Sequence, residues 1–143
     1  MYVTRKPLLL LLVLGLGLWA TACSFSVSTA NIGGLKMGKD EALQQETNTF
    51  EADDTLYSVV TIANNPGTVS VKGRLHVVEI EGQTPGPIQG LETTVTVLGS
   101  NTATFHFTKP NNGWPAGKYK FEALMLNENG ETKDSKSQDF TVN

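Results

Sequence analysis

The sequence predicts an all-β fold, an antiparallel β-sandwich of about seven strands that follows an N-terminal signal peptide. Apolar and polar residues alternate with period two in several short stretches, which is typical of strands with one buried face. Turn-forming residues separate these stretches, for example at 64–67 and 129–130. After residue 22, no long stretch shows the apolar period of a helix. These observations together favour short strands joined by tight turns.

The first 22 residues have the pattern of an export signal. Arg5 and Lys6 form a positively charged start, the apolar stretch 8–19 follows, and small residues at 20–22 end it. A membrane-spanning helix needs about 20 apolar residues, so this stretch predicts a signal peptide rather than a stable span. Residues 20–22 also form an Ala-x-Ala site for ordinary signal peptidase, and cleavage there would release a soluble protein.

The single cysteine of the chain, Cys23, follows the signal directly. Residues 20–23 resemble the lipobox of bacterial lipoprotein precursors, with Ala20 where that motif usually has leucine. The resemblance implies cleavage before Cys23, acylation of its thiol and new amine, and membrane anchoring by two or three acyl chains. Ser24, and not aspartate, follows the cysteine. By resemblance to the sorting rule of Gram-negative lipoproteins, this implies that the protein is located on the periplasmic side of the outer membrane in such a host. In a Gram-positive host the same signal implies the outer face of the cell membrane.

Three segments follow from this interpretation: a lipoprotein signal peptide at 1–22, the lipidated Cys23 with a short tether at 23–29, and a β-sandwich domain at 30–143. The 121 residues after the signal suit one domain with its own core. They include nine basic and fourteen acidic residues, a net charge of −5, which argues against general nucleic-acid binding. One cysteine excludes a disulfide within the chain, so apolar packing must hold the fold.

The elements are predicted in chain order. A first strand at 27–37 is broken by Gly33-Gly34, and the polar stretch 39–48 forms a loop or a helical turn. A loop is predicted at 82–90 because it holds Pro85 and Pro87. The remaining strands are predicted at 56–63, 69–80, 91–97, 103–107 and 119–125, with a last strand around Phe140 and Val142.

The stretch 113–123 reads Gly-Trp-Pro-Ala-Gly-Lys-Tyr-Lys-Phe-Glu-Ala. It resembles the approach to strand F in bacterial immunoglobulin-like and fibronectin-like domains, and residues 50–57 are similar to the acidic turn before their strand B. The resemblance covers 27–143 and implies an immunoglobulin-like sandwich. In that fold the ring of Tyr119 is buried and its hydroxyl bonds nearby backbone. The sequence lacks the Cys…Trp…Cys pattern of antibody domains, so no intersheet disulfide is implied.

The alternation also predicts one basic patch. Lys72, Arg74 and His76 project outward from the strand predicted at 69–80, which is strand C of the resemblance. Lys118 and Lys120 project outward from strand F, predicted at 119–125. These strands are neighbours in an immunoglobulin-like sheet, so these side chains form a candidate docking face. Its partner would be anionic: lipid headgroups, lipopolysaccharide phosphates, an acidic glycan or an acidic protein. The alternative is an ordinary solvated sheet face, neutralised by Glu122 and neighbouring acids.

Three further features have a functional and a plain interpretation. Trp114 could stack on a sugar ring, or it could plug the open end of the core. The segment 127–134 offers oxygen ligands for weak calcium binding, but it lacks the full pattern of a calcium loop and could be a plain hairpin turn. His76 and His106 are predicted to point outward from opposite sheets, so they could not share an ion. The sequence therefore predicts no metal and no other cofactor.

The function predicted from the sequence is non-enzymatic. The chain has no Gly-x-Ser-x-Gly elbow, and no histidine stands with a serine and a carboxylate in a recognisable order. We therefore expect a membrane-anchored envelope lipoprotein that acts as an interaction or scaffolding module. Its expected partners are the membrane, through Cys23, and an envelope protein, with no nucleic acid. The alternatives are a carbohydrate- or calcium-binding module, and an inhibitor or chaperone of an envelope enzyme.

Overall fold

The computed structural model describes residues 29–143, so the predicted signal peptide, Cys23 and most of the tether lie outside the described residues. Within that range the chain is all-β and contains no helix, hence none that could cross a membrane. The strands are β1 Asn31–Gly38, β2 Thr49–Phe50, β3 Leu56–Ala63, β4 Thr68–Glu79, β5 Gly86–Leu98, β6 Thr102–Phe107, β7 Gly117–Leu126 and β8 Thr132–Val142.

The strands form two sheets around one apolar core. The smaller sheet has the order β1-β3-β6, and the larger sheet has the order β2-β8-β7-β4-β5. Neighbouring strands are antiparallel except β2, which runs parallel to the end of β8. This confirms the predicted all-β class and is consistent with a β-sandwich. The eight strands include the two-residue β2, which the sequence did not predict.

Strict alternation along the strands builds the core. In β3, for example, the side chains at 56, 58, 60 and 62 are buried, whereas those between them are half-buried or exposed. Gly73 interrupts the buried row of β4, and the rings of Phe105 and Phe121 pack there with centroids 5.5 Å apart. A Cβ at Gly73 would come within 2.7–2.9 Å of both rings. The missing side chain therefore makes room for the aromatic contact.

Tyr119 occupies the buried position that the sequence predicted. Its ring is 1% exposed and stacks on Phe140 at a centroid distance of 5.2 Å. Its hydroxyl donates a hydrogen bond of 2.7 Å to the carbonyl of Pro115. Burial raises the pKa of Tyr119, so the phenol stays protonated and keeps this donor. The bond fixes the start of β7 against the segment before it.

The predicted loop at 82–90 is wrong in its second half, because β5 begins at Gly86. Pro87 is tolerated there since β5 lies at the edge of its sheet and needs no ladder bond on one side. Gly90 has a φ of +82°, and the register between β4 and β5 shifts between Arg74 and His76. An irregular strand thus replaces the expected loop.

Two predictions near the N-terminus agree with the structure in outline. The register between β1 and β3 shifts between Ile32 and Gly34, where the sequence predicted a break. The segment 39–48 contains turns and an isolated bridge between Gly38 and Glu46, and it forms no helical turn.

The sandwich has two ends, which we name by their position relative to Thr29, the first described residue. The tether end consists of Thr29 and the turns 64–67, 99–101 and 127–131. There the hydroxyl of Thr29 donates a hydrogen bond of 3.0 Å to the carbonyl of Asn64. The far end consists of the segments 39–48, 51–55, 80–85 and 108–116. The 12 residues of β4 run from one end to the other, a span of about 40 Å.

Candidate functional site

The four basic residues of the predicted patch lie on the outer face of the larger sheet. β4 and β7 are neighbours in this sheet, and their register places Lys72 opposite Leu124 and Arg74 opposite Glu122. Lys118 lies opposite Glu79, and the alternation of β7 puts Lys120 on the same face. The structure thus brings together the residues that the sequence grouped, with carboxylates among them.

Glu122 neutralises the centre of this face. It accepts a 2.6 Å hydrogen bond from the Arg74 Nε and lies 2.9 Å from the His76 Nε2. Partial burial alone would raise the pKa of Glu122. The hydrogen bonds and charges of Arg74 and His76 outweigh this effect and hold the pKa below its ordinary value. The carboxylate is therefore ionised at neutral pH and compensates the charge of Arg74.

Carboxylates also face the other lysines of the patch. Lys118 pairs with Glu79 at 2.6 Å, and this hydrogen bond lowers the pKa of Glu79 and raises the pKa of Lys118. Lys72 lies 3.9 Å from Glu92. Lys120 is opposite Asp139 of β8. The outer face therefore alternates four basic with four acidic groups, which agrees better with a solvated sheet face than with a basic docking patch. The basic residues are Lys72, Arg74, Lys118 and Lys120, and the acidic residues are Glu79, Glu92, Glu122 and Asp139.

Trp114 lies in the core at the far end. It is 3% exposed, and its indole meets the ring of Tyr119 edge to face at a centroid distance of 6.3 Å. Its Nε1 donates a hydrogen bond of 2.9 Å to the carbonyl of Asp54. This position matches the interpretation of Trp114 as a plug, and it leaves no exposed ring face for a sugar.

The 127–134 segment forms a hairpin turn in which the side-chain oxygens of Asn127, Glu131 and Asp134 accept hydrogen bonds. The side-chain Oδ1 of Asn127 accepts hydrogen bonds from the backbone N–H groups of Asn129 and Glu131. Glu131 accepts hydrogen bonds from the Asn127 side chain and from Lys133, and these lower its pKa. Asp134 accepts a 2.8 Å hydrogen bond from the N–H of Ile32 in the other sheet. These contacts give Asn127, Glu131 and Asp134 a structural role in the turn and in the link between the sheets.

The two histidines lie in different sheets, as the sequence predicted. His76 is in β4 and contacts Glu122, whereas His106 is in β6 and lies beside the ring of Tyr57 at a centroid distance of 6.1 Å. Residues 29–143 contain no group of three or more His, Cys, Asp or Glu side chains placed to hold a metal ion.

The two ends of the sandwich differ in net charge, which was not predicted from the sequence. The far-end segments carry seven acidic and two basic residues, whereas the strands and tether-end turns together carry seven of each. The net charge of residues 29–143 therefore lies in the far-end segments, at the end of the sandwich opposite Thr29. The far-end acids are Asp40, Glu41, Glu46, Glu51, Asp53, Asp54 and Glu81. These residues were visible in the sequence, but only the strand order shows that four separate segments meet at one end.

Two ion pairs bind the far-end segments together. Lys39 pairs with Asp54 at 2.8 Å, and Lys109 pairs with Asp53. Partial burial alone would raise the pKa of Asp54. The hydrogen bond from the N–H of Glu51 and the contact with Lys39 outweigh it and lower that pKa. Asp54 is therefore ionised at neutral pH and can pair with Lys39.

Comparison with protein-family models and with curated protein sequences found no match. Two solved structures superpose on part of this chain. A β-glucosidase from Listeria innocua in complex with glucose superposes on 76% of this chain, with a TM-score of 0.48 and 15% identity. This chain spans 16% of the length of that enzyme. The soluble domain of PmoD from Methylocystis sp. ATCC 49242 (Rockwell) matches 76% of this chain and 89% of its own, with a TM-score of 0.44 and 15% identity.

Proposed function

We propose that this protein is a lipoprotein anchored in a bacterial envelope membrane through Cys23, and that it acts there as a non-enzymatic interaction or scaffolding module. The observation that carries the proposal is the polarity of the sandwich. The chain enters at the tether end, next to the proposed anchor, and the whole net negative charge lies at the far end. Such a domain projects one defined end away from the membrane.

The short tether supports this orientation. Cys23 lies six residues before Thr29, which belongs to the tether end, and six extended residues span at most about 20 Å. The tether end is then held beside the lipid surface. Anionic headgroups repel the acidic far end over roughly 10 Å, the distance at which salt screens charges. The far-end segments are therefore the loops most accessible to a partner in the envelope.

We also infer that the sandwich is of the immunoglobulin-like type. In that type strands A, B and E share one sheet, and strands C, F and G share the other. The orders β1-β3-β6 and β8-β7-β4 have the same relation when they are taken as A-B-E and G-F-C. The hydrogen bond from Tyr119 to Pro115 supports the same assignment.

The alternatives receive no specific support from the described residues. A carbohydrate module centred on Trp114 would need an exposed ring, and a calcium module at 127–134 would need oxygens without donors. An inhibitor or chaperone of an envelope enzyme would differ from a scaffolding module in the identity of its partner. One crosslinking experiment therefore tests both roles.

The anchor is tested by growing cells that express the full chain with an alkyne-bearing fatty acid. We expect label on the wild-type protein, a mass that corresponds to a chain starting at acylated Cys23, and recovery in the membrane fraction. Cys23→Ser is the matched control and should be unlabelled. An unlabelled, soluble wild-type protein that starts at Cys23 would show ordinary signal peptidase cleavage and would refute the anchor.

The interaction role is tested by crosslinking in intact cells, affinity purification and mass spectrometry, with Cys23→Ser alongside. We expect one dominant crosslinked envelope protein that is lost or reduced in Cys23→Ser. A stoichiometric enzyme as that partner would indicate an inhibitor or chaperone. Absence of any specific protein from both samples would refute the interaction role.

A further inference from the structure

β5 leaves one side of its backbone without a strand partner in the part of the chain that the structure describes. It is 13 residues long, lies at the edge of the larger sheet and pairs there with β4 alone. Its segment 92–98 runs in continuous register with residues 68–74 of β4. This segment contains no proline, no lysine and no bulge, although proteins usually protect exposed edges with these features.

The other edges of the two sheets are shorter or are interrupted. The first half of β5 contains Pro87 and the register shift, and β2 has only two residues. β1 has its own register shift, and its Ile32 N–H is bonded to Asp134. β6 is regular but has six residues, one fewer than the segment 92–98. The segment 92–98, which we call the open edge, is therefore the longest regular edge among the described strands.

The hydrogen-bond pattern shows which groups of the open edge point outward. The carbonyl of Val97 faces Asn65, whose Nδ2 lies 3.5 Å away, and the N–H of Gly99 bonds to the carbonyl of Gly67. Both contacts lie on the β4 side. Backbone groups alternate between the two sides of an antiparallel strand, so Thr94, Thr96 and Leu98 direct their N–H and C=O groups outward. Leu98 is 75% exposed, which adds an apolar surface at one end.

A second copy of this chain does not fit the open edge in antiparallel register when both copies stand upright on one membrane, with the tether end down as proposed above. Two identical strands that pair edge to edge in one antiparallel sheet run in opposite directions. The tether end of one copy would then lie beside the far end of the other, about 40 Å away along the strands. A tether of at most about 20 Å cannot bridge that distance to the same membrane. This argument rests on the anchoring proposed above.

We propose that the open edge binds an extended segment of a different envelope protein, which adds to the larger sheet as a sixth strand. Main-chain hydrogen bonds to Thr94 and Thr96 would supply affinity, and side chains would supply specificity. Val95 is half-buried at the margin of the core, so partner residues on that face are apolar. Glu92 is the single charged residue of β5 and is half-exposed, so the partner residue opposite it is lysine or arginine.

The probe for this proposal is the peptide acetyl-Thr-Val-Thr-Val-Thr-Val-Lys-amide, which in antiparallel register places lysine opposite Glu92. The full processed chain is titrated with the peptide, and amide hydrogen exchange is measured at single residues. We expect exchange at Thr94 and Thr96 to slow at least tenfold at saturation. Exchange at Val97, whose N–H already faces β4, should not change. Replacing the peptide lysine by glutamate should weaken binding, and a central proline should abolish it.

Two variants control for the fold. Thr96→Lys places a charge on the open edge and should abolish the effect of the peptide without changing the melting temperature. Ser137→Lys adds the same charge to β8, three strands away on the same sheet face, and should leave the effect intact. Unchanged exchange with the peptide, or equal slowing with the proline peptide, would overturn the proposal.

Concentration-dependent slowing at Thr94 and Thr96 without peptide would mean self-pairing, and it would also overturn the proposal. The experiment needs no acyl chain on Cys23. Its failure would leave the fatty-acid labelling and crosslinking results untouched, so the open edge and the anchored module are tested separately.

Discussion

Ser58 is a polar residue in an otherwise apolar row of β3. It is 1% exposed, and its hydroxyl is the single buried side-chain polar atom among the described residues without a hydrogen-bond partner. Its neighbours across the smaller sheet are Met37 and Phe105, which offer no strong side-chain hydrogen bond. Burial of a hydroxyl without a partner costs about 1–3 kcal/mol.

We predict that Ser58→Ala raises the free energy of unfolding by about 1 kcal/mol, because it removes the unpaired hydroxyl and leaves a very small void. Urea denaturation monitored by tryptophan fluorescence measures the change. Ser137→Ala, at an exposed position of β8, is the control and should change it little. A loss of stability in Ser58→Ala would mean that the hydroxyl has a partner in solution.

Glu122 gives a second residue-scale prediction, which concerns pH. Its pKa is lowered in the folded state, so the ionised carboxylate stabilises the fold above its ordinary pKa of 4.5. That contribution is lost as pH falls from about 4.5 through the lower folded-state value. We predict that Glu122→Gln lowers the free energy of unfolding by up to about 1 kcal/mol at pH 7. The difference from wild type should shrink below pH 4.5, and a constant difference down to pH 3 would contradict the assignment.

Gly73 carries the prediction at the scale of elements, because it sets how closely the two sheets pack. Gly73→Ala would push a methyl group into the rings of Phe105 and Phe121. We expect a loss of about 1–3 kcal/mol in the free energy of unfolding, as for other overpacked cores. Gly67→Ala is the matched control, since a Cβ there meets nothing within 4 Å and should change stability by less than about 0.5 kcal/mol. Equal effects at Gly67 and Gly73 would contradict this account.

The sequence predicted elements well where one face of a strand is buried. β3 was predicted with its observed bounds, and β4 within one residue at each end, because alternation there is strict. The start of β5 was missed because glycine and proline at 85–87 indicate a turn, whereas the edge position tolerates them. β2 was missed because two residues carry no periodicity, and its pairing with β8 links positions about 90 residues apart.

At the scale of the whole molecule, the basic residues of the patch could be predicted from the sequence, but the acidic residues that face them, apart from Glu122, could not. The four basic residues of the patch were placed correctly on neighbouring strands. Their neutralisation by Glu79 and Asp139 depends on registers that link distant parts of the chain, and periodicity does not specify these. The concentration of net charge at one end has the same origin, since it arises from loops that meet only in the folded chain.

The polarity of the sandwich predicts a fixed orientation on the membrane. We predict that a fluorophore at Asn129→Cys, in a tether-end turn, is quenched by lipids that carry a quencher in the headgroup region. The same fluorophore at Gln83→Cys, in a far-end loop about 40 Å away, should be quenched at most slightly. Fluorescence of the acylated protein in liposomes measures both. With Cys23→Ser, neither position should be quenched, and equal quenching of both in the anchored protein would contradict the orientation.

The position of β1 determines how the domain bears mechanical load. An anchor that pulls on Thr29 pulls along the axis of β1, which runs from the tether end to the far end and pairs with β3 along most of its length. Force in that direction shears all the β1–β3 hydrogen bonds together instead of opening them one after another. The bond from Ile32 to Asp134 passes part of the load to the larger sheet, where the open edge lies. A partner held at β5 is thus coupled to the membrane through a connection that resists stretching.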